Sequence, residues 1–203
     1  AELKVQIEES NENNKWDYIE LNKVVNTMSH ITEQLLLYAK TNPNTIDKTY
    51  LKKINLNNFC KEYSLKIASK VYDKGFEFAY EELKENILIE ADQIMLRSML
   101  DNIINNAFHY ARDEEGKPLG TITLSLKRHN NTIWLSIKDQ GKGIEKKDLN
   151  TIFDRFYRVD SKKSGNGLGL NIVKQIASLH NATVQARNDK GLIISIIFNI
   201  KKS

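Results

Sequence analysis

Asn102 and Asn106 lie four residues apart in M-L-D-N-I-I-N-N-A-F-H-Y-A (99–111), and they are the first groups in the chain that could do chemistry together. A spacing of four stacks two side chains on one face of a helix, and His109 and Tyr110 extend that face by another turn. A buried helix with amides on one side and Leu/Ile on the other needs something polar opposite the amides. A carboxamide oxygen is a hard, neutral ligand, suited to Mg²⁺ held between protein and phosphates. The plainer reading is that the two amides cap neighbouring loops. Asparagine is a poor helix former, and two on one mid-helix stripe weigh against that reading. Asn105 lies off the stripe and is given no role.

Asp139-Gln140-Gly141-Lys142-Gly143-Ile144 directly follows a strand-like run. A carboxylate at a strand end can accept from an exocyclic amine such as that of adenine, a charged bond contributing roughly 1.5–3 kcal/mol. Gly141 and Gly143 let the backbone pass close to a flat ring. Alone, D-x-G-x-G is more often a hairpin turn than a ligand site. Further on, S-G-N-G-L-G-L (164–170) opens a helix, where free N–H groups and the helix dipole favour an anion such as a triphosphate. It is neither a Walker A loop nor a dinucleotide fingerprint. The irregular stretch from Lys146 to Asn166 is too long for an ordinary connection, and functional lids are among the few uses of such loops. Arg155, Arg158, Lys162 and Lys163 lie in it and could neutralise phosphate oxygens. Phe153, Phe156 and Tyr157 are expected to anchor it to the core.

These groups need elements to hold them. Residues 1–9 are helix-forming, and 10–14 (S-N-E-N-N) break the helix. A second helix is expected from Trp16 to Lys40, with an a/d seam at Tyr18, Leu21, Val25, Met28, Thr32, Leu35 and Ala39. So wide a seam predicts packing against a second chain, as in a dimeric four-helix bundle. His30 faces away from it and reads as surface. Pro43 ends the helix, and the domain boundary is placed there: 1–45 helical, 46–203 a separate domain. In that second domain, Ile54 and Leu56 predict a short strand. Asn57 or Asn58 is expected to cap a helix to about Lys74, with Phe59, Tyr63, Ile67 and Val71 on one face and Gly75 ending it. Phe76–Tyr80 and Ile87–Ile89 read as strands. Asp92 caps a long helix to about Ala111. Residues 121–126 and 132–138 form a hairpin turning at Asn130-Asn131. Leu168 to Leu179 is helical, and two strand-like runs follow around a turn at 188–191. The pattern predicts an α+β fold, a two-layer α/β sandwich of antiparallel-leaning strands backed by about three helices, preceded by the helical segment.

Composition restricts the function classes. The chain has 203 residues with a net charge of +4, and its lysines and arginines form no stripe interleaved with aromatics, which argues against nucleic acid. Cys60 is the single cysteine, so neither an intrachain disulfide nor a cysteine-based metal site is open to it. No apolar run reaches the ~18 residues that a membrane span needs, and no signal peptide is visible. The chain begins at Ala1 rather than Met, so it is expected to be a fragment.

The order 99–111, D-Q-G-K-G-I (139–144), I-F-D-R-F-Y-R-V-D (152–160) and 164–170 resembles the N, G1, F and G2 boxes of the ATP-binding domain of bacterial sensor histidine kinases, in the superfamily of gyrase, Hsp90 and MutL. The resemblance covers essentially the whole chain, with residues 1–42 similar to part of the dimerisation and phosphotransfer domain. It implies that Asn106 coordinates Mg²⁺, that Asn102 assists at the phosphate end, and that Asp139 reads the adenine amine. Gly141 and Gly143 would line the base. Gly165, Gly167 and Gly169 would hinge the lid, and Arg158 and Lys163 would face the transferring phosphate. His109, Tyr110, Ile144, Leu168 and Leu170 complete the implied ATP-binding set. Asn102, Asn106 and Arg158 are the implied catalytic residues.

The implied activity is transfer of the ATP γ-phosphoryl group to a histidine of the dimerisation domain, and thence to an aspartate of a response regulator. The implied partners are ATP, Mg²⁺, that regulator and a second copy through helices 1–42. The implied setting is the cytoplasmic part of a cell-membrane protein. One feature departs from the pattern: no H-E-x-x-x-P-type box is present, so the chain is expected to carry no acceptor histidine of its own. Two rivals remain, an ATP-sensing scaffold without phosphotransfer and an ATPase or serine kinase of the same superfamily. Asn102 stands where the ATPases carry an acidic residue, which favours phosphotransfer.

Overall fold

A computed structural model describes residues 51–159 and 167–200. The helices expected in 1–42, the dimer seam, Lys163 and Gly165 fall outside the described residues. Those that are described belong to one compact unit, Thr41–Ser203.

Chain order is β1 (Lys52–Asn55), α1 (Leu56–Asp73), β2 (Glu77–Glu81), β3 (Leu88–Ala91), α2 (Gln93–Tyr110), β4 (Thr121–His129), β5 (Thr132–Lys138), α3 (Gly169–Leu179), β6 (Ala182–Asn188) and β7 (Leu192–Asn199). Five strands form one sheet in the order β2-β4-β5-β7-β6. The β2–β4 pair is parallel and the other pairs are antiparallel. β1 and β3 form a separate two-stranded sheet, which the one-layer expectation did not include. The fold is thus the expected α+β sandwich, with three helices against the sheet.

Register makes the core. Leu124, Ile137, Ile194 and Ala186 align across four strands, and Leu126, Leu135, Ile196 and Val184 form the next row. Alternation of side chains puts these rows on one face. Against it lie Leu96, Met99, Leu100, Ile103 and Ile104 of α2 and Ile172, Val173 and Ile176 of α3, all buried. On the opposite face Ser136 and Ser195 share a hydrogen bond of 2.8 Å.

Helix ends follow the expected chemistry in part. Asp92 caps α2, its Oδ1 accepting from Ile94 and Met95 N–H at 2.7 and 3.0 Å. Gly75 follows α1 with φ +83. At the start of α1 the expected cap, Asn57 or Asn58, was off by two or three residues. Asn55 is the cap, accepting from Asn58 N–H at 3.0 Å, and Leu56 opens the helix rather than closing the strand. Asn57 is buried instead, with its amide donating to the Leu83 and Glu85 carbonyls.

Candidate functional site

The α2–sheet seam opens into a pocket. Ile103, Asn106, Ala107 and Tyr110 of α2 form one wall; Ile137, Leu192 and Ile194 form the other, with Asp139 at the end of β5. The space not filled by atoms is about 270 Å³, counting solvent at the mouth. Only two groups interrupt the apolar lining besides Tyr110: the Asn106 amide and the Asp139 carboxylate. The sequence reading required these two to converge, and they do.

Asp139 is 8% exposed. Its Oδ1 accepts from Gly141 N–H at 2.8 Å and Leu192 N–H at 3.1 Å, while Oδ2 takes no hydrogen bond within the described residues. Burial pushes the carboxyl above the ordinary 3.8, and the two N–H bonds act against that rise. The result is a carboxylate pinned by one oxygen, with the second available as an acceptor inside an apolar slot. Such a slot suits a flat heteroaromatic ring with one N–H donor.

Asn106 Nδ2 is buried with no hydrogen-bond partner. An unsatisfied buried amide costs about 1–3 kcal/mol, so this group is held ready for something else. A flip about its last torsion would present the oxygen at the same place.

The other expected residues spread around this pair. Asn102 does not line the pocket. It is buried at the α2–α3 crossing, where its Nδ2 donates to Ser98 O at 2.8 Å and its Oδ1 lies beside Gly169. Tyr110 lines the slot, whereas His109 is exposed at the helix end. Gly141 backs onto Ala111 and Tyr110, and Gly143 backs onto Asn188. Ile144 is held by the Asn188 amide through both its N–H and its carbonyl. Leu168 is buried, and Gly169 and Leu170 begin α3. Gly167 bonds across to Phe156, its carbonyl accepting Phe156 N–H at 3.0 Å. Arg158 is half-buried.

Of the three aromatics expected to anchor the loop, Phe153 is buried and Tyr157 donates to the buried Asp148 at 2.7 Å. Phe156 is not an anchor: it is 60% exposed at φ +62, with the Arg155 guanidinium 4.6 Å from its ring centroid. The sequence reading gave no site role to Asn188 and Gly191, which it took for a plain turn, or to Leu192, which it took for the start of a strand. Its only available signal was the N-D-K-G that sends β6 back into β7.

The pocket thus lies between a helix and the sheet of an α+β sandwich, with one amide and one carboxylate facing each other across it. Residues 91–202 match the family described as histidine kinase-, DNA gyrase B-, and HSP90-like ATPase, and the chain belongs to that family. It is 37% identical over 119 residues to the sensor histidine kinase WalK of Bacillus subtilis, covering 57% of this chain and 19% of the relative. Two solved structures share the fold. Full-length ShkA in complex with AMPPNP gives a TM-score of 0.69 at 21% identity, over 87% of this chain and 37% of that one. Histidine kinase ThkA in complex with the response regulator TrrA gives 0.66 at 18% identity, over 89% and 50%. The chain therefore spans about a fifth of the length of WalK.

Proposed function

We propose that this chain is the ATP-binding catalytic part of a sensor histidine kinase, and that its pocket takes Mg·ATP. The observation that carries this is the pairing of an unpartnered buried amide on Asn106 with a half-used carboxylate on Asp139 across one apolar slot. Asp139 Oδ2 accepts from the adenine amine, and Ile103, Ala107, Ile137 and Leu192 sandwich the ring. Among the described residues no three His, Cys, Asp or Glu side chains cluster as a metal site. A Mg²⁺ ion arriving with the nucleotide would take most of its ligands from phosphate oxygens and water, with one amide oxygen from the protein. Asn106 supplies that oxygen. A Mg²⁺ ion bound there would supply charge neutralisation at the phosphates for transfer of the γ-phosphoryl group to an imidazole nitrogen. Arg158 would add positive charge at the phosphate end.

The phosphoryl group then passes to an aspartate of a response regulator. ThkA, which shares the fold, was solved with such a protein, and ShkA with an ATP analogue. The segment to about residue 45 is assigned to dimerisation, and the remainder to the nucleotide. No helix among the described residues is long and apolar enough to cross a membrane, and the assigned place is the cytoplasmic side of a membrane-anchored sensor.

The test is incubation of the complete parent protein with labelled ATP and Mg²⁺. Acid-labile, base-stable phosphate on the protein is expected, and Asn106→Ala should abolish it. No such phosphate on the wild-type protein refutes the reading.

A further inference from the structure

The β6–β7 turn touches the pocket's polar end from behind, and no sequence box includes it. Asn188 closes a two-point clamp on one residue of the loop after Asp139: its Nδ2 donates to Ile144 O at 2.6 Å and its Oδ1 accepts Ile144 N–H at 3.2 Å. Three residues on, Gly191 lies flat against Asp139. A Cβ there would stand 2.0 Å from the Asp139 carbonyl oxygen, so no side chain fits. Leu192 then takes Asp139 from both sides of its backbone and side chain. Its carbonyl accepts Asp139 N–H at 3.0 Å, and its N–H donates to Asp139 Oδ1 at 3.1 Å. Outside the turn, Lys138 pairs with Asp189 at 3.2 Å.

We propose that Asn188 is a positioning residue for base selection. It fixes the loop that carries Gly141 N–H, and with Leu192 N–H this locks Asp139 so that Oδ2 alone faces the bound ring. This rests on the nucleotide reading above. A carboxylate locked in that way accepts a hydrogen bond from a 6-amino group and repels a 6-oxo group, whose oxygen has no proton to give. Cutting the clamp frees residues 140–144. One of the two donors holding Oδ1 then loosens, and the carboxylate can turn to suit other ring edges. Asn188 is not among the residues lining the pocket, so its loss acts through Asp139 and is read in the ratio of the two affinities. A net hydrogen bond of about 1 kcal/mol corresponds to roughly fivefold in the ratio of the two affinities.

The experiment is calorimetric titration of the full 203-residue chain with AMPPNP and with the matching inosine analogue, both with Mg²⁺. Wild type should prefer the adenine nucleotide by tenfold or more. Asn188→Ala should cut that preference about fivefold. Asn188→Ser, which keeps an acceptor for Ile144 N–H, should fall between. Melting curves run beside the titrations. A lower melting temperature with an unchanged preference ratio overturns the proposal and makes Asn188 a mere staple. If Asn188→Ala does not fold, the ratio for Asn188→Ser decides by the same rule. No heat from wild type with either nucleotide overturns the nucleotide reading itself.

Discussion

Asn102 and Gly169 meet where α2 crosses α3, so closely that a Cβ on Gly169 would stand 3.0 Å from Asn102 Oδ1. Asn102 has little room to yield, because its Nδ2 donates to Ser98 O at 2.8 Å. Alanine is about 1 kcal/mol better than glycine inside a helix, but position 169 is the first residue of α3, where that gain is smaller. Gly169→Ala should therefore cost about 1 kcal/mol net, since crowding in a packed contact outweighs the propensity term. In an Asn102→Ala background the same change should cost nothing or stabilise. A double-mutant cycle by urea unfolding reads the coupling, and simple additivity would show that the two residues do not press on each other.

Asp139 has a cost and a use that one substitution separates. In Asp139→Asn the amide oxygen can still accept from Gly141 and Leu192 N–H, while a donor replaces the oxygen that faces the slot. Losing a charged hydrogen bond to the base should weaken AMPPNP binding by roughly 10- to 100-fold. Stability should move the other way. The folded-state pKa of Asp139 is raised by burial, so the ionised group opposes folding at neutral pH and stops doing so once pH falls below the ordinary 3.8. Asp139→Asn should be at least as stable as wild type at pH 7, and that advantage should vanish near pH 3.5. Wild-type affinity should also begin to fall at a higher pH than an exposed aspartate would give. Urea melts between pH 3 and 8 and titrations between pH 4 and 8 test both, and a variant that binds normally would remove Asp139 from the site.

Gly191 and Gly116 distinguish backbone strain from collision. Both have positive φ, +135 and +80. Nothing lies within 4 Å of a Cβ on Gly116, whereas one on Gly191 would strike the Asp139 carbonyl at 2.0 Å. Gly116→Ala should show conformational strain alone, on the order of 1–2 kcal/mol. Gly191→Ala must also displace the start of β7, and should cost at least twice as much in thermal or urea unfolding. Equal costs would mean that the turn gives way freely.

What was legible in the chain was local. Asp92 before an amphipathic run, Gly75 after one, and Asn130 between two alternating runs each act within a few residues, and each does what its type suggests. The Asn106–Asp139 convergence was also readable, because helix periodicity and strand alternation aim both groups at the same layer. Leu56 was misread because the strand before it is only four residues long and pairs with β3 instead of the main sheet. Asn188 and Leu192 were missed because their bonds span 44 and 53 residues of sequence. No spacing rule connects a turn to a loop so far away. Phe156 was misjudged since its left-handed backbone turns an aromatic outward, and nothing in D-R-F-Y-R signals that.

His180 ties the end of α3 to the start of α2, and that tie should fail in acid. Its Nε2 accepts Asp92 N–H at 3.0 Å, so the ring must be neutral with its proton on Nδ1, which donates to Ile176 O at 2.7 Å. Protonation would set an N–H against an N–H. Burial accordingly lowers the pKa below the ordinary 6.5, while the Ile176 carbonyl and the Asp92 charge pull it back. A histidine with a lowered folded-state pKa binds its proton more readily when unfolded. Its contribution is therefore whole above about pH 6.5 and shrinks as pH falls from there toward the lowered value. His180→Phe should cost about 2 kcal/mol at pH 7.5, since the Asp92 N–H and the Ile176 carbonyl lose their side-chain partner. That cost should diminish steadily between pH 6.5 and 5, because the wild-type protein loses what the variant never had. Paired urea melts of the two proteins at each pH isolate the His180 contribution, since every other group is common to both. A cost that stays constant across that range would mean that the ring is not held neutral by Asp92.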